Sequence, residues 1–152
     1  MRLYLLAFMA VICVGSAQAD GYATGPTELE LAQAERLAQQ GEIDRALAVY
    51  RELSEEAPRS ARLHARVGGM LLLKQEYAAA VNRFQTAIGL DLENNGDAFI
   101  GLGIAYVHLG QYGPARAALN EARSRKPQAA ADLDQLVAWL EGRAVNREGD
   151  VR

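Results

Sequence analysis

The chain has 152 residues, enough for one domain of ordinary size, and half of them are apolar, so a sizeable core can form. With 16 basic and 19 acidic residues the net charge is −3, and the basic side chains are scattered. That balance lacks the electrostatic footprint of a nucleic-acid or anionic-membrane binder, and a single cysteine, Cys13, excludes an internal disulfide framework.

Residues 1–19 read as a secretory signal peptide. Arg2 and the amino terminus supply positive charge, Leu3 to Val14 is almost unbroken apolar sequence, and Ala17-Gln18-Ala19 is a small-x-small cleavage site ahead of Asp20. A spanning helix needs about 20 apolar residues, and this run ends near Ser16, so cleavage after Ala19 is expected, with no membrane insertion of the mature chain. A lipidated Cys13 would need a small residue before it, where Ile12 stands. Cleavage leaves a cysteine-free chain, periplasmic or secreted, whose stability rests on packing.

Residues 20–26 form a polar linker. Thr27 opens the first predicted helix as an N-cap, with Glu30 completing a capping box, and the period of Leu31, Ala34 and Leu37 carries it to Gln40. Gly41 breaks it. The second helix, Asp44 to Glu56, stops ahead of Pro58, because Ala57 before the proline is biased out of the helical region. Ser60 caps the third helix, which ends at Leu73, and the fourth runs from Tyr77 to Leu90. After a polar loop, Asp97 is expected to cap the fifth helix. Pro114 falls in the first turn of the sixth, which ends before Pro127. Arg123, Arg125 and Lys126 read as solvated cations complementing that helix's dipole. In the seventh helix Leu133, Leu136, Val137 and Leu140 make one apolar stripe with a polar back; Gly142 is expected to end it, leaving 143–152 as a polar tail.

Superposing the chain on itself shows one helical hairpin three times, at spacings of 34 and then 35 residues. Ala46, Ala80 and Ala115 coincide, followed by Tyr50, Phe84 and Leu119; Ala34, Gly68 and Gly103 coincide upstream. The turn triplets Gly41-Glu42-Ile43, Gln75-Glu76-Tyr77 and Gly110-Gln111-Tyr112 also fall in register. A unit of this length cannot bury its apolar face alone, so neighbours stack into a solenoid.

These residues resemble tetratricopeptide (TPR) repeats, most clearly in Leu102-Gly103-x-x-Tyr106, Gly110-x-Tyr112-x-x-Ala115, Ala122 and Pro127. The second copy departs from the pattern with Leu92 where proline is usual. The resemblance implies an all-α, right-handed solenoid of three TPR hairpins, residues 27–60, 61–94 and 96–129, closed by a capping helix over 130–142. It further implies a small exported bacterial-type domain that binds a protein or peptide partner without catalysis, similar to assembly factors for envelope machines such as pili or secretion systems. Self-association through the groove or through exposed helices is the alternative.

In the family the first helix of each hairpin lines a concave groove. Carried onto this sequence, the groove positions include Glu28, Leu31 and Glu35, then Arg62, Ala65, Gly69, Leu72 and Leu73, then Asp97, Ile100, Ile104, Val107 and His108. Of these, Glu35, Arg62, Gly69, Leu72, Ile100, Ile104, Val107 and His108 are taken as the partner-binding set. Leu72, Leu73, Ile104 and Val107 could instead pack between helices. The places where some family members grip a chaperone's C-terminal carboxylate hold Leu31, Glu35, Arg66, Asp97 and Gly101 here; with one base and two acids, that specificity is not expected.

Catalytic chemistry finds no support in the sequence. His64 and His108 lack a metal-ligand spacing, no cysteine remains in the mature chain, and no GxSxG, Walker A or strand-borne GxGxxG motif occurs. No metal or cofactor is expected. Trp139 is read as the anchor of the capping helix, with a partner-facing role as the alternative.

Overall fold

The computed structural model describes residues 28–149. The signal peptide, the linker and the Thr27 cap lie outside that range. Among the described residues seven α-helices follow one another: α1 (Glu28–Gln39), α2 (Ile43–Glu56), α3 (Ala61–Leu73), α4 (Tyr77–Leu90), α5 (Gly96–His108), α6 (Tyr112–Arg125) and α7 (Ala130–Gly149), the last preceded by a 3-10 turn at Pro127–Ala129. Each packs on its neighbour in sequence, and α3 also touches α5. This is the α-solenoid that the repeat pattern implies.

The coinciding small residues explain how the pairs close. Ala34, Ala46, Ala80 and Ala115 are wholly buried. A Cβ on Gly68 would lie 2.9 Å from the Phe84 ring, and one on Gly103 would lie 2.7 Å from Leu119. Larger side chains there would hold the helices beyond their packing distance of about 8–10 Å. Phe84 also lies against Gly101, so one ring fills the space that two glycines leave on α3 and α5.

The turns within the hairpins are three copies of one Schellman motif. Gly41, Gln75 and Gly110 take positive φ, and the next amide donates back across the turn: Glu42 to Leu37, Glu76 to Leu71, Gln111 to Tyr106, each at 2.9 Å. Gln75 holds at φ +64° a conformation that costs a residue with a Cβ about 1 kcal/mol. Ser60 caps α3 as expected, accepting from the Leu63 amide. Lys74 at the end of α3 bridges Asp44 and Glu76 and stays charged, its pKa raised first by the hydrogen bond to Asp44 and then by that to Glu76.

Several local expectations are corrected. Asp97 is not the cap of α5: the helix starts at Gly96, and Asp97 in its first turn pairs with Lys126. The preceding Asn95 is buried and looks backwards, donating to the carbonyls of Ala87 (2.7 Å) and Asp91 (2.6 Å), so it closes the end of α4 instead. The basic group ending α6 is engaged rather than solvated. Arg125 sits 4.6 Å above the Phe99 ring and donates to the Leu92 carbonyl, while Arg123 reaches Asp134 on α7 at 2.7 Å. Gly142 does not end α7, which continues to Gly149. A helical glycine costs about 1 kcal/mol against alanine but does not forbid the helix, and Arg143, Ala144, Arg147 and Glu148 beyond it are good helix formers.

The last described helix, α7, differs from the other first-helices on one face. Leu133, Val137 and Leu140 are buried, and they stand 35 residues after Ala98, Leu102 and Ala105 of α5. Thus α7 has the register of a fourth first-helix. The face that would receive a following helix carries Asp134, Ala138 and Glu141, all exposed, where α5 has Phe99, Gly103 and Tyr106. That face is polar and exposed, as a helix at the end of a stack requires.

Candidate functional site: a groove across the first helices

Between α3 and α5 lies an open groove of about 620 Å³. Ala65, Gly69 and Leu72 form its α3 wall, and Ile100, Gly101 and Ile104 its α5 wall, with Phe84 at the floor. The helical period causes this: positions 65, 69 and 72 share one face of α3, and positions 100, 101 and 104 share one face of α5. Leu72, Ile100 and Ile104 are half-buried, so apolar surface remains open to solvent. The rim is polar, with Arg62 and Arg66 on one side and Asp91, Asn94 and Asp97 on the other.

A second hollow, about 310 Å³, lies between α1, α2 and α3, lined by Glu35, Tyr50 and Arg66 among others. Arg66 lines both and joins them. Its Nη2 donates to Glu35 Oε1 at 2.8 Å, and Arg62 Nη2 reaches the same oxygen at 3.3 Å. Two guanidinium groups thus share one carboxylate. Burial raises the Tyr50 pKa above that of a free phenol; the charge of Arg66 opposes the shift, and Tyr50 stays neutral there.

Of the sequence-based set, Arg62, Gly69, Leu72, Ile100 and Ile104 meet at the main groove, and Glu35 stands beside it, tied through Arg62 and Arg66. Val107 and His108 lie further along α5. Val107 is half-buried against the cluster around Leu119, Leu133 and Val137, and His108 stacks flat on Tyr77 at 4.3 Å between ring centroids. Leu31 is buried in the core rather than open to the groove, whereas Leu73 is 61% exposed and packs between no helices. His64 is structural in geometry: it is buried, and its Nε2 donates to the Pro58 carbonyl at 2.9 Å.

Sequence reasoning missed a second apolar cleft, about 480 Å³, between α5 and α6, with Phe99, Leu102, Tyr106, Pro114 and Ala118 in its walls. Pro114 and its neighbouring alanines are the only signal for it, and small residues on a helix read equally well as packing. Among the described residues no group of three or more His, Cys, Asp or Glu side chains is placed to hold a metal ion, and no helix is long and apolar enough to cross a membrane.

Two family models, both described as tetratricopeptide repeat, match residues 31–91 and 71–140, which together span well over half of the chain. The chain belongs to the tetratricopeptide repeat family. The TPR fold is equally clear in solved structures. The TPR2B-domain:pHsp70 complex of yeast Sti1 is 21% identical, with a TM-score of 0.71 over 76% of this chain and 96% of that one. The Yersinia enterocolitica type III secretion chaperone SycD, in complex with a peptide of the translocator YopD, is 13% identical with a TM-score of 0.73 over 77% and 93%. The first TPR domain of the human RPAP3 protein is 15% identical with a TM-score of 0.73 over 80% and 94%. At such identities the likeness shows the fold. No curated relative matches at a significant level.

Proposed function

We propose that this TPR domain is a non-catalytic adaptor that holds a peptide or helix of a partner protein in the groove between α3 and α5. The observation that carries the reading is the half-open apolar surface of Leu72, Ile100 and Ile104, set in a 620 Å³ groove with a charged rim. Apolar anchors ringed by polar groups are what a peptide-sized contact requires. Similar structures described as complexes with peptides, SycD with YopD among them, support it. The signal-peptide pattern of residues 1–19 extends the proposal to export, with the domain acting as an assembly factor for an envelope complex.

Capture of binding proteins from an envelope extract, with wild type and Ile104→Glu in parallel and readout by mass spectrometry, tests the groove. A protein held by the wild type and lost by a normally folded variant supports the reading; equal capture by both sinks it. The second reading, self-association, draws on Leu29, which is 79% exposed on α1. A mass that rises with concentration in sedimentation equilibrium, and falls back in Leu29→Glu, would favour it.

A further inference from the structure

Trp139 stands in the same register as the residues of the groove. Counting by the repeat, Glu35, Gly69, Ile104 and Trp139 succeed one another at intervals of 34, 35 and 35 residues, one on each first-helix. The interior positions of α5 and α7 obey the same interval, which fixes the correspondence. Trp139 is 44% exposed and meets Tyr112 edge-on, with ring centroids 6.3 Å apart. On the same helix the face that would receive an eighth helix has turned polar, with Asp134 and Glu141. A helix kept only to shield the core from water has no need of a large aromatic at its groove position.

Gly69 supplies a second observation. A Cβ there would meet nothing within 4 Å, so this glycine is not required by helix packing, unlike Gly68 beside it. It leaves a notch in the α3 wall while lowering helix propensity. Charge supplies a third. Arg62 and Arg66 both engage one oxygen of Glu35, so that corner of the groove holds two positive groups against one negative, with guanidinium donors to spare.

Resting on the groove reading above, we infer that α7 is part of the recognition surface and that the partner segment has a defined chemistry: an acidic side chain at Arg62 and Arg66, a bulky apolar side chain in the Gly69 notch, and a second apolar or aromatic side chain against Trp139. Notch and tryptophan lie on α3 and α7, two repeat steps apart, on the order of 20 Å at the usual helix spacing of about 8–10 Å. Trp139 acts as the far anchor, a residue type enriched among those that dominate binding once the contact shields them from water.

The chain contains one tryptophan, so its fluorescence reports this site alone. The test selects peptides on the full chain from a random displayed library. A length of about 16 residues spans the distance in extended or helical form. Selected peptides are expected to carry an acidic residue and two bulky apolar ones, to shift the Trp139 emission, and to bind Trp139→Ala about tenfold or more weakly at unchanged helicity. Because removing Trp139 could loosen α7, the emission shift of the wild type serves as the independent readout. Peptides that Ile104→Glu rejects, but that leave Trp139 emission and Trp139→Ala affinity unchanged, overturn this inference while sparing the groove. Selection of no peptide, or of peptides indifferent to Ile104→Glu, overturns the groove reading and this inference with it.

Discussion

Two rows of residues run the length of this solenoid and behave oppositely. The inner row repeats one kind of residue, Ala34, Gly68 and Gly103, each set against a partner helix. The concave row changes at every step, from Glu35 to Gly69, Ile104 and Trp139. Both lie on the same helices, one position apart. Close packing dictates the inner row, since a larger side chain there has nowhere to go. The concave row is under no such steric demand at Gly69, where a Cβ would meet nothing within 4 Å, and its side chains differ in size and charge from repeat to repeat.

Substitutions in the two rows should therefore separate. The largest effect belongs to the ring that serves both α3 and α5: Phe84→Ala should lose about 3–5 kcal/mol in urea unfolding, because Phe84 is 4% exposed and the two glycine-lined hollows around it cannot collapse. Next, Gly68→Leu should lose about 1–3 kcal/mol by overpacking against that ring, and a variant of wild-type stability would show the inner row to be looser than described. Asn95→Ala should cost about 1–3 kcal/mol through the Ala87 and Asp91 carbonyls it strands, read as a lower melting temperature with the helices otherwise intact. The smallest effect is favourable. Gln75→Gly should gain about 1 kcal/mol by relieving the left-handed turn, as Gly41 and Gly110 already do in the other two hairpins.

Most of the architecture was legible because it repeats. A fixed interval reveals helix pairs, turns and the close-packed small residues without any knowledge of side-chain placement. What the sequence hid is local and unrepeated. Asp97 reads as a cap for the helix ahead, yet it pairs with Lys126, and the amide of the nearby Asn95 turns back to α4. Arg125 and Lys126 look like a solvated cationic end until Phe99, Leu92 and Asp97 are brought to them through the fold. The groove positions of α3 and α5 could be located by helical period, but the period could not show that Leu31 is sealed into the core or that His108 has a ring to stack on. Those depend on which neighbour lies alongside, which a period read along the sequence does not contain.

One substitution sets the two rows directly against each other. Gly69→Leu places a side chain where no packing forbids it, one residue from the position where packing forbids it most. Thermal unfolding of this variant, measured together with its affinity for peptides selected on the wild type, should give a melting temperature equal to or above that of the wild type and binding weakened at least about tenfold. A destabilised protein would place Gly69 in the packed interior, and a stable one that still binds as the wild type does would contradict the claim that the concave row reads the partner.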